Sequence, residues 1–221
     1  MSVSDAIKQR RSVRAYLSKP VEPELIKRIF TDAQLSPSNC NTQPWHVTIV
    51  SGNARDSLET AMVAQIMNGD APTPHFKPGD QGLNGKYRKR QIACAISLYD
   101  SVGIEYEEKE KRQQLMLRNW QFFGAPHVAF FSMPKSMGEV NAVDMGIYLQ
   151  TIMLLMTEYG LASCPQGALA MYPSPVYDIA NIPQDCAIMF GLSFGYSAEQ
   201  DAINSFDVGR EPLKAAVEFI G

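Results

Sequence analysis

Apolar positions recur at helical spacing between Pro23 and Leu35, where Leu25, Ile26, Ile29, Phe30 and Ala33 fall on one side. The next ten residues, Ser36 to Trp45 (SPSNCNTQPW), abandon that pattern for small polar side chains and two prolines. His46 to Ser51 (HVTIVS) then reads as a strand. Pro37, Ser38, Asn39 and Asn41 supply turn chemistry, so a plain helix exit accounts for this loop. It also gathers amides and hydroxyls beside an indole, between two segments that should be buried. Buried polar groups need partners, and a polar, planar ligand would give them to Ser38, Asn39, Asn41 and Gln43.

The flanking segments follow the same logic. Ser4 can cap a first helix reaching Gln9, with Val3 and Ile7 as its apolar face. Arg10-Arg11-Ser12-Val13-Arg14 comes next. In extended backbone Arg10, Ser12 and Arg14 share a face, and planar guanidinium forks there suit a phosphate or a carbonyl edge. A solvated basic turn has the same composition. Asn53 caps a helix to about Asn68. Residues 69–85 hold three prolines and four glycines without periodicity, as a lid or a mobile linker does.

Helical patterning resumes over Lys86–Val102 and Glu105–Phe123, until Gly124-Ala125-Pro126 breaks it. His127 to Met133 is a continuous apolar run of strand length. Glu139 to Tyr159 is the longest helix. It is apolar nearly all round from Val143 to Met156, which predicts a core helix that also meets a second subunit. Leu161–Ala168 reads as a compact turn in which Pro165 and Gly167 either cross between elements or let the backbone approach a flat ligand. Pro173–Ala180 is a short helix and Cys186–Tyr196 a strand. The interior Gly191 and Gly195 of that strand signal close backbone approach. Gly209-Arg210 follows a polar loop, and Ala216–Ile220 suits an edge strand.

Composition narrows the function classes. The chain has 221 residues, which suits one domain carrying an insertion at about 69–118. A net charge of −3 argues against a general nucleic-acid or anionic-membrane binder. No apolar run suggests a bilayer span, and the first residues lack the apolar core of a secretory signal. The four cysteines are scattered, without paired spacing, and the three histidines show no metal-binding arrangement. Reduced thiols in a cytoplasmic protein are expected. Neither glycine-rich phosphate fingerprint is present, so a phosphate site must be built from arginines and loop amides.

RRSVR, PSNCNTQPW, SCPQG and VGR occur in that order over almost the whole chain. Together they resemble the FMN-dependent nitroreductase family, in particular its nitrobenzoate-reductase-like branch with a central insertion and an FFGAP turn. The resemblance implies an α+β fold: a three-layer α/β/α sandwich with a central mixed β-sheet, in an intertwined homodimer with FMN at the subunit interface. It implies that Arg10, Ser12 and Arg210, with Arg11 and Gly209 beside them, hold the FMN phosphate. Arg14 would face the N1–C2 edge of the ring. Pro37, Ser38, Asn39 and Asn41 would come from the other subunit. Pro165, Gln166 and Gly167 would pass over the ring, with a backbone N–H near Gly167 aimed at N5. A further polar contact would fall on Arg118 or Asn119.

The implied activity is transfer of electrons from NADH or NADPH to nitroaromatics, quinones or related small aromatic acceptors in a ping-pong cycle. The flavin would be the reactive centre, with no metal and no catalytic side chain. Reductive dehalogenation, other flavin chemistry or non-catalytic flavin binding are the alternatives on such a fold. Two positions depart from the family pattern. Gln121 stands where a lysine is often found, and Val208 where a second phosphate-binding basic residue is expected. Arg11 and Arg118 would compensate.

Overall fold

The structure, a computed structural model, describes residues 1–221. Seven helices surround one sheet. They are α1 (Val3–Gln9), α2 (Pro23–Ala33), α3 (Gly52–Met67), α4 (Gly85–Ser101), α5 (Lys109–Leu117), α6 (Glu139–Glu158) and α7 (Pro173–Ala180). The strands are β1 (His46–Ser51), β2 (His127–Pro134), β3 (Ala162–Gln166) and β4 (Cys186–Gly195), in the order β1-β2-β4-β3. All three strand pairings are antiparallel. The mixed character expected of the sheet reduces to one parallel bridge, Ser12 with Ser163, on the outer side of β3.

Alternation along β2 builds the three layers. Successive strand residues point to opposite faces. Ala129, Phe131 and Met133 join Tyr148, Ile152 and Met156 of α6 and Ile29 and Ala33 of α2. Val128 and Phe130 join Leu58 and Met62 of α3 and Val176 and Ala180 of α7. Phe130 and Phe131 are both fully buried, on opposite faces, each contributing roughly 1.5–3 kcal/mol of burial. Helix α6 is long and apolar enough to cross a membrane, contrary to the reading from the sequence, yet it packs on the sheet and α2 as a core helix.

Several elements differ from expectation, each for a local reason. Ser2 rather than Ser4 caps α1, because Asp5 sits where its carboxylate returns to the Ser2 amide and closes the cap. The helix expected over Glu105–Phe123 runs only from Lys109 to Leu117. The chain then turns into the left-handed region at Phe122, Phe123 and Gly124, with φ of 52°, 53° and 76°. Arg55 holds that turn, donating to Ala125 O at 3.0 Å and Gln121 O at 3.1 Å, with its guanidinium 5.2 Å from the Phe122 ring centroid. The compact turn expected over Leu161–Ala168 contains β3. Ala216–Ile220 forms no strand and stays exposed, since no sheet edge of its own chain receives it. The glycines of β4 do mark close approach: a Cβ on Gly191 would collide with the Leu169 side chain.

Residues 69–118 comprise a long connection and the pair α4–α5. The pair attaches through Leu98, Tyr99, Val102 and Ile104, packed about Ala15, Leu115 and Ile203. The connection is tied down by Thr73 N–H donating to Met171 O at 2.9 Å, and Phe76 packs against the larger core.

Candidate functional site

The outer edge of β3 receives the arginine-rich segment. Val13 N–H donates to Ser163 O at 3.1 Å, and Val13 is buried, so its neighbours Ser12 and Arg14 face the other way. Arg10, at the end of α1, is half-buried beside Arg210. Burial lowers the Arg10 pKa from its ordinary value, and the charge of Arg210 adds to the effect. Neither arginine has a carboxylate partner; the ion pairs of the chain involve Arg55, Arg90 and Lys111. Guanidinium groups without a counter-charge suit an anion such as a phosphate monoester. Arg210 reaches the corner from a turn closed by Gly209 N–H donating to Asp207 Oδ1 at 3.0 Å. The following residue, Glu211, pairs with Arg90 of α4 at 2.7 Å.

Arg14 is braced from several directions. Its backbone N–H donates to Asn204 Oδ1 at 2.7 Å, and its Nη1 donates to Ser12 O at 3.2 Å. The guanidinium carbon lies 5.0 Å from the Phe206 ring centroid and 5.9 Å from that of Phe123. Arg118 stands behind it, Nη2 donating to Arg14 O at 3.0 Å. Buried Asn204 in turn donates to Ala15 O and Ala198 O. Such bracing fixes one cation in one orientation, which a lone surface arginine does not achieve.

At the end of β3 the Gln166 side chain is buried and fully engaged. Its Nε2 donates to Asn119 O at 2.8 Å, and its Oε1 accepts from Ser193 Oγ at 2.5 Å. Gln166 therefore locks the corner, while half-buried Pro165 and exposed Gly167 present backbone. Two titratable groups lie within it. Burial pushes the Cys164 thiol up to about 11, against the opposing charges of Arg14 and Arg10. Burial likewise raises the Tyr16 phenol, whose hydroxyl donates to Val13 O at 2.8 Å. Burial thus favours the protonated form of both.

The polar loop lies elsewhere. Cys40, Asn41 and Gln43 have φ of 50°, 56° and 47°. Ser38 Oγ accepts from Gln43 N–H at 2.9 Å, and Asn39 N–H donates to Asp144 Oδ1 of α6 at 3.0 Å. Pro37, Asn39 and Asn41 are exposed. The arginine corner borders β3, which follows α6 in the chain, whereas Asp144 lies in the N-terminal third of that helix. One chain thus gathers Arg10, Ser12, Arg14, Arg118, Pro165, Gln166, Gly167, Gly209 and Arg210 at one corner, with Arg11 exposed beside it. Pro37, Ser38, Asn39 and Asn41 make no hydrogen bond to them.

Sequence reasoning did not single out Asn204, Ser193 or Phe206. Asn204 sits in an unpatterned stretch, and only the folded chain brings its amide to Arg14. Asp144 is a carboxylate within the apolar stretch of α6, and nothing local in the sequence names its partner Asn39. No cluster of His, Cys, Asp or Glu forms a metal site. His75 lines an open cleft of about 380 Å³ with Lys135 and Tyr177 that shares no residue with the arginine corner.

The nitroreductase family model matches residues 7–196. Nitroreductase NfnB of Mycolicibacterium smegmatis is 38% identical over 214 residues, covering 96% of this chain and 90% of its own. A 4-nitrobenzoate reductase of Pseudomonas putida is 32% identical over 216 residues, covering 97% and 94%. The crystal structure of the FMN and NADPH-dependent nitroreductase NfnB from sphigopyxis sp. strain HMH superimposes with a TM-score of 0.96. It is 36% identical, with all of both chains covered.

Proposed function

The chain belongs to the nitroreductase family, and on that footing we propose that it is an FMN-dependent oxidoreductase carrying electrons from NAD(P)H to nitroaromatic or related small aromatic acceptors. The observation that carries this reading is an Arg14 held in one orientation beside β3, together with Arg10 and Arg210, neither of which has a carboxylate partner. That pair, with Ser12, would hold the phosphate of FMN. When bound, FMN supplies the hydride chemistry that no side chain of this corner offers.

The chain's own residues position and polarise. Arg14, held by Ser12 O and flanked by Phe123 and Phe206, presents a fixed positive charge to the ligand edge it faces. A preorganised charge of this kind stabilises negative charge arriving on that edge without reorganising. The Gln166 network fixes Pro165–Gly167 so that their backbone meets the ligand in one geometry.

A second copy completes the site. The polar loop is tied to the N-terminal third of α6 through Asn39 and Asp144, and none of its hydrogen bonds reaches the arginine corner. Val3 and Ile7 of α1 and Val140, Val143 and Ile147 of α6 are exposed apolar residues, as an interface between copies requires. Residues 69–118 form a lid beside the corner, fastened by the Arg90–Glu211 pair and by Ser97 Oγ donating to Asp207 O at 3.1 Å. All four cysteines are free thiols, which supports a reducing cytoplasmic setting.

Anaerobic addition of NADPH or NADH to the purified holoprotein should bleach the flavin band, and 4-nitrobenzoate should restore it. A flavin that stays oxidised under excess of either nucleotide refutes the reading.

A further inference from the structure

From Arg14 outward, residues 206–211 run along α4. The Phe206 ring packs on the Arg14 guanidinium, Asp207 O accepts from Ser97 Oγ at 3.1 Å, and Glu211 pairs with Arg90 at 2.7 Å. Leu98 and Tyr99 of the same helix line a small cavity together with Arg14, Asn119 and Phe123. Arg90 and Ser97 are two turns apart and so share one face of α4. Lys86, one turn before Arg90, continues that row beyond Glu211, and Lys89 stands beside it. Lys86 Nζ and the Arg90 guanidinium lie 5.4 and 5.8 Å from the centroid of the same Tyr87 ring, so both cations gather at the outer end of the helix.

Charge singles that end out. Lys86, Arg88, Lys89 and Arg90 are four cations within five residues of a chain whose net charge is −3, and no acidic residue occurs between Asp80 and Asp100. Glu211 compensates Arg90. Lys86 and Lys89 are exposed and belong to none of the ion pairs of the chain. Arg88 projects from the other side of the helix and donates to Gln91 Oε1 at 2.6 Å. Two uncompensated ammonium groups on a helix suit a phosphate monoester, which lysine meets as a point charge. That phosphate is not the one of FMN, which Arg10, Ser12 and Arg210 would hold.

We infer that Lys86 and Lys89 select the electron donor: they receive the 2′-phosphate of NADPH, the group that NADH lacks, while the nicotinamide end of the molecule reaches the flavin beside Arg14. This rests on the reading above, that a nicotinamide dinucleotide reduces a flavin at this corner. From Leu98 to Lys86 the helix covers ~18 Å at about 1.5 Å per residue. An extended dinucleotide bridges such a distance between its nicotinamide and its adenosine 2′-phosphate. Arg90, closed on Glu211, fastens α4 to residues 206–211 and so sets how far the two lysines stand from Arg14.

Two measurements on the FMN-loaded protein test this. Calorimetry compares adenosine 2′,5′-bisphosphate with 5′-AMP. Wild type should bind the bisphosphate at least tenfold tighter, and the double variant Lys86→Gln/Lys89→Gln should erase that difference without altering the affinity for 5′-AMP or for FMN. Anaerobic flavin reduction is then followed over a range of NADPH and of NADH concentrations. The double variant should raise the apparent dissociation constant of NADPH at least tenfold, keep its limiting rate, and leave NADH unchanged. Both positions are exposed, so the fold tolerates the changes. Arg88→Gln removes the same charge as Lys89→Gln, but from the other side of α4. It should leave both readouts at wild type, and a loss equal to that of Lys89→Gln would mean a diffuse field and overturn the inference. So would a wild type without preference for the bisphosphate, or a double variant that loses NADPH and NADH alike. A flavin that neither dinucleotide reduces would instead remove the reading on which the inference stands, and bisphosphate binding, which needs no turnover, tells the two failures apart.

Discussion

Replacing Arg10 by alanine should pull apart two effects that commonly travel together, ligand affinity and fold stability. In the ligand-free protein its guanidinium is disfavoured by burial and by the like charge of Arg210. Its removal should therefore leave the apoprotein's unfolding midpoint unchanged or raise it. Once a phosphate is present the balance reverses, because a charge-assisted hydrogen bond contributes roughly 1.5–3 kcal/mol. That corresponds to a loss of roughly 10- to 150-fold in FMN affinity. Arg10 is half-buried and belongs in the upper part of that range. Arg210 is exposed, and solvent screening places Arg210→Ala nearer tenfold. Titrating apoprotein with FMN and, in parallel, with riboflavin isolates the phosphate contribution by flavin fluorescence. FMN affinity should collapse towards that of riboflavin, which should itself change little. Equal losses for the two ligands, or an unaltered FMN constant in the double variant, would refute the phosphate role of this corner.

Arg14→Met should lower the flavin midpoint potential more than it lowers FMN affinity, because the fixed charge acts most strongly on the reduced ligand; redox titration of the holoprotein with an unmoved potential rejects this. His127 gives a pH prediction. Its Nε2 accepts the Val21 N–H at 2.9 Å, so the proton sits on Nδ1 towards Ser51 Oγ, and burial lowers its pKa. Its contribution to stability is complete above the unfolded-state value of about 6.5 and is lost as pH falls from there through the lowered folded value. Urea midpoints of wild type should drop between neutral and mildly acidic pH more than those of His127→Gln, and parallel curves would contradict the assignment. Gly191→Ala would drive a methyl into the Leu169 side chain and should cost about 1–3 kcal/mol by overpacking. An unchanged urea midpoint would mean that β4 tolerates the clash, and Leu169→Ala in the same chain should relieve it.

The elements whose periods were strong were legible before any coordinates. The strand over His46–Ser51 and the helix over Pro173–Ala180 appear with the bounds read from the sequence, and the long apolar helix ends at Glu158 rather than Tyr159. Hydrophobic spacing reports which face of an element is buried, and that is a local property. Where the pattern was governed by partners, the reading failed. Ala162–Gln166 looks like a turn because serine, cysteine and proline hide a strand that β4 alone makes regular. The helix expected to run to Phe123 ends at Leu117, where Arg55 from another element holds the left-handed turn that follows.

The chemistry of the site divides along the same line. Residue types and their order along the chain determined that an anion must be met by arginines and a planar ligand by loop amides, since guanidinium and amide groups carry those capacities wherever they lie. Only the folded chain decided which of them meet. It placed Asn204 under Arg14 from 190 residues away, set Arg118 on the Arg14 carbonyl, and tied the polar loop to Asp144 of α6. Those pairings join residues distant in sequence, and packing rather than any local pattern fixes them.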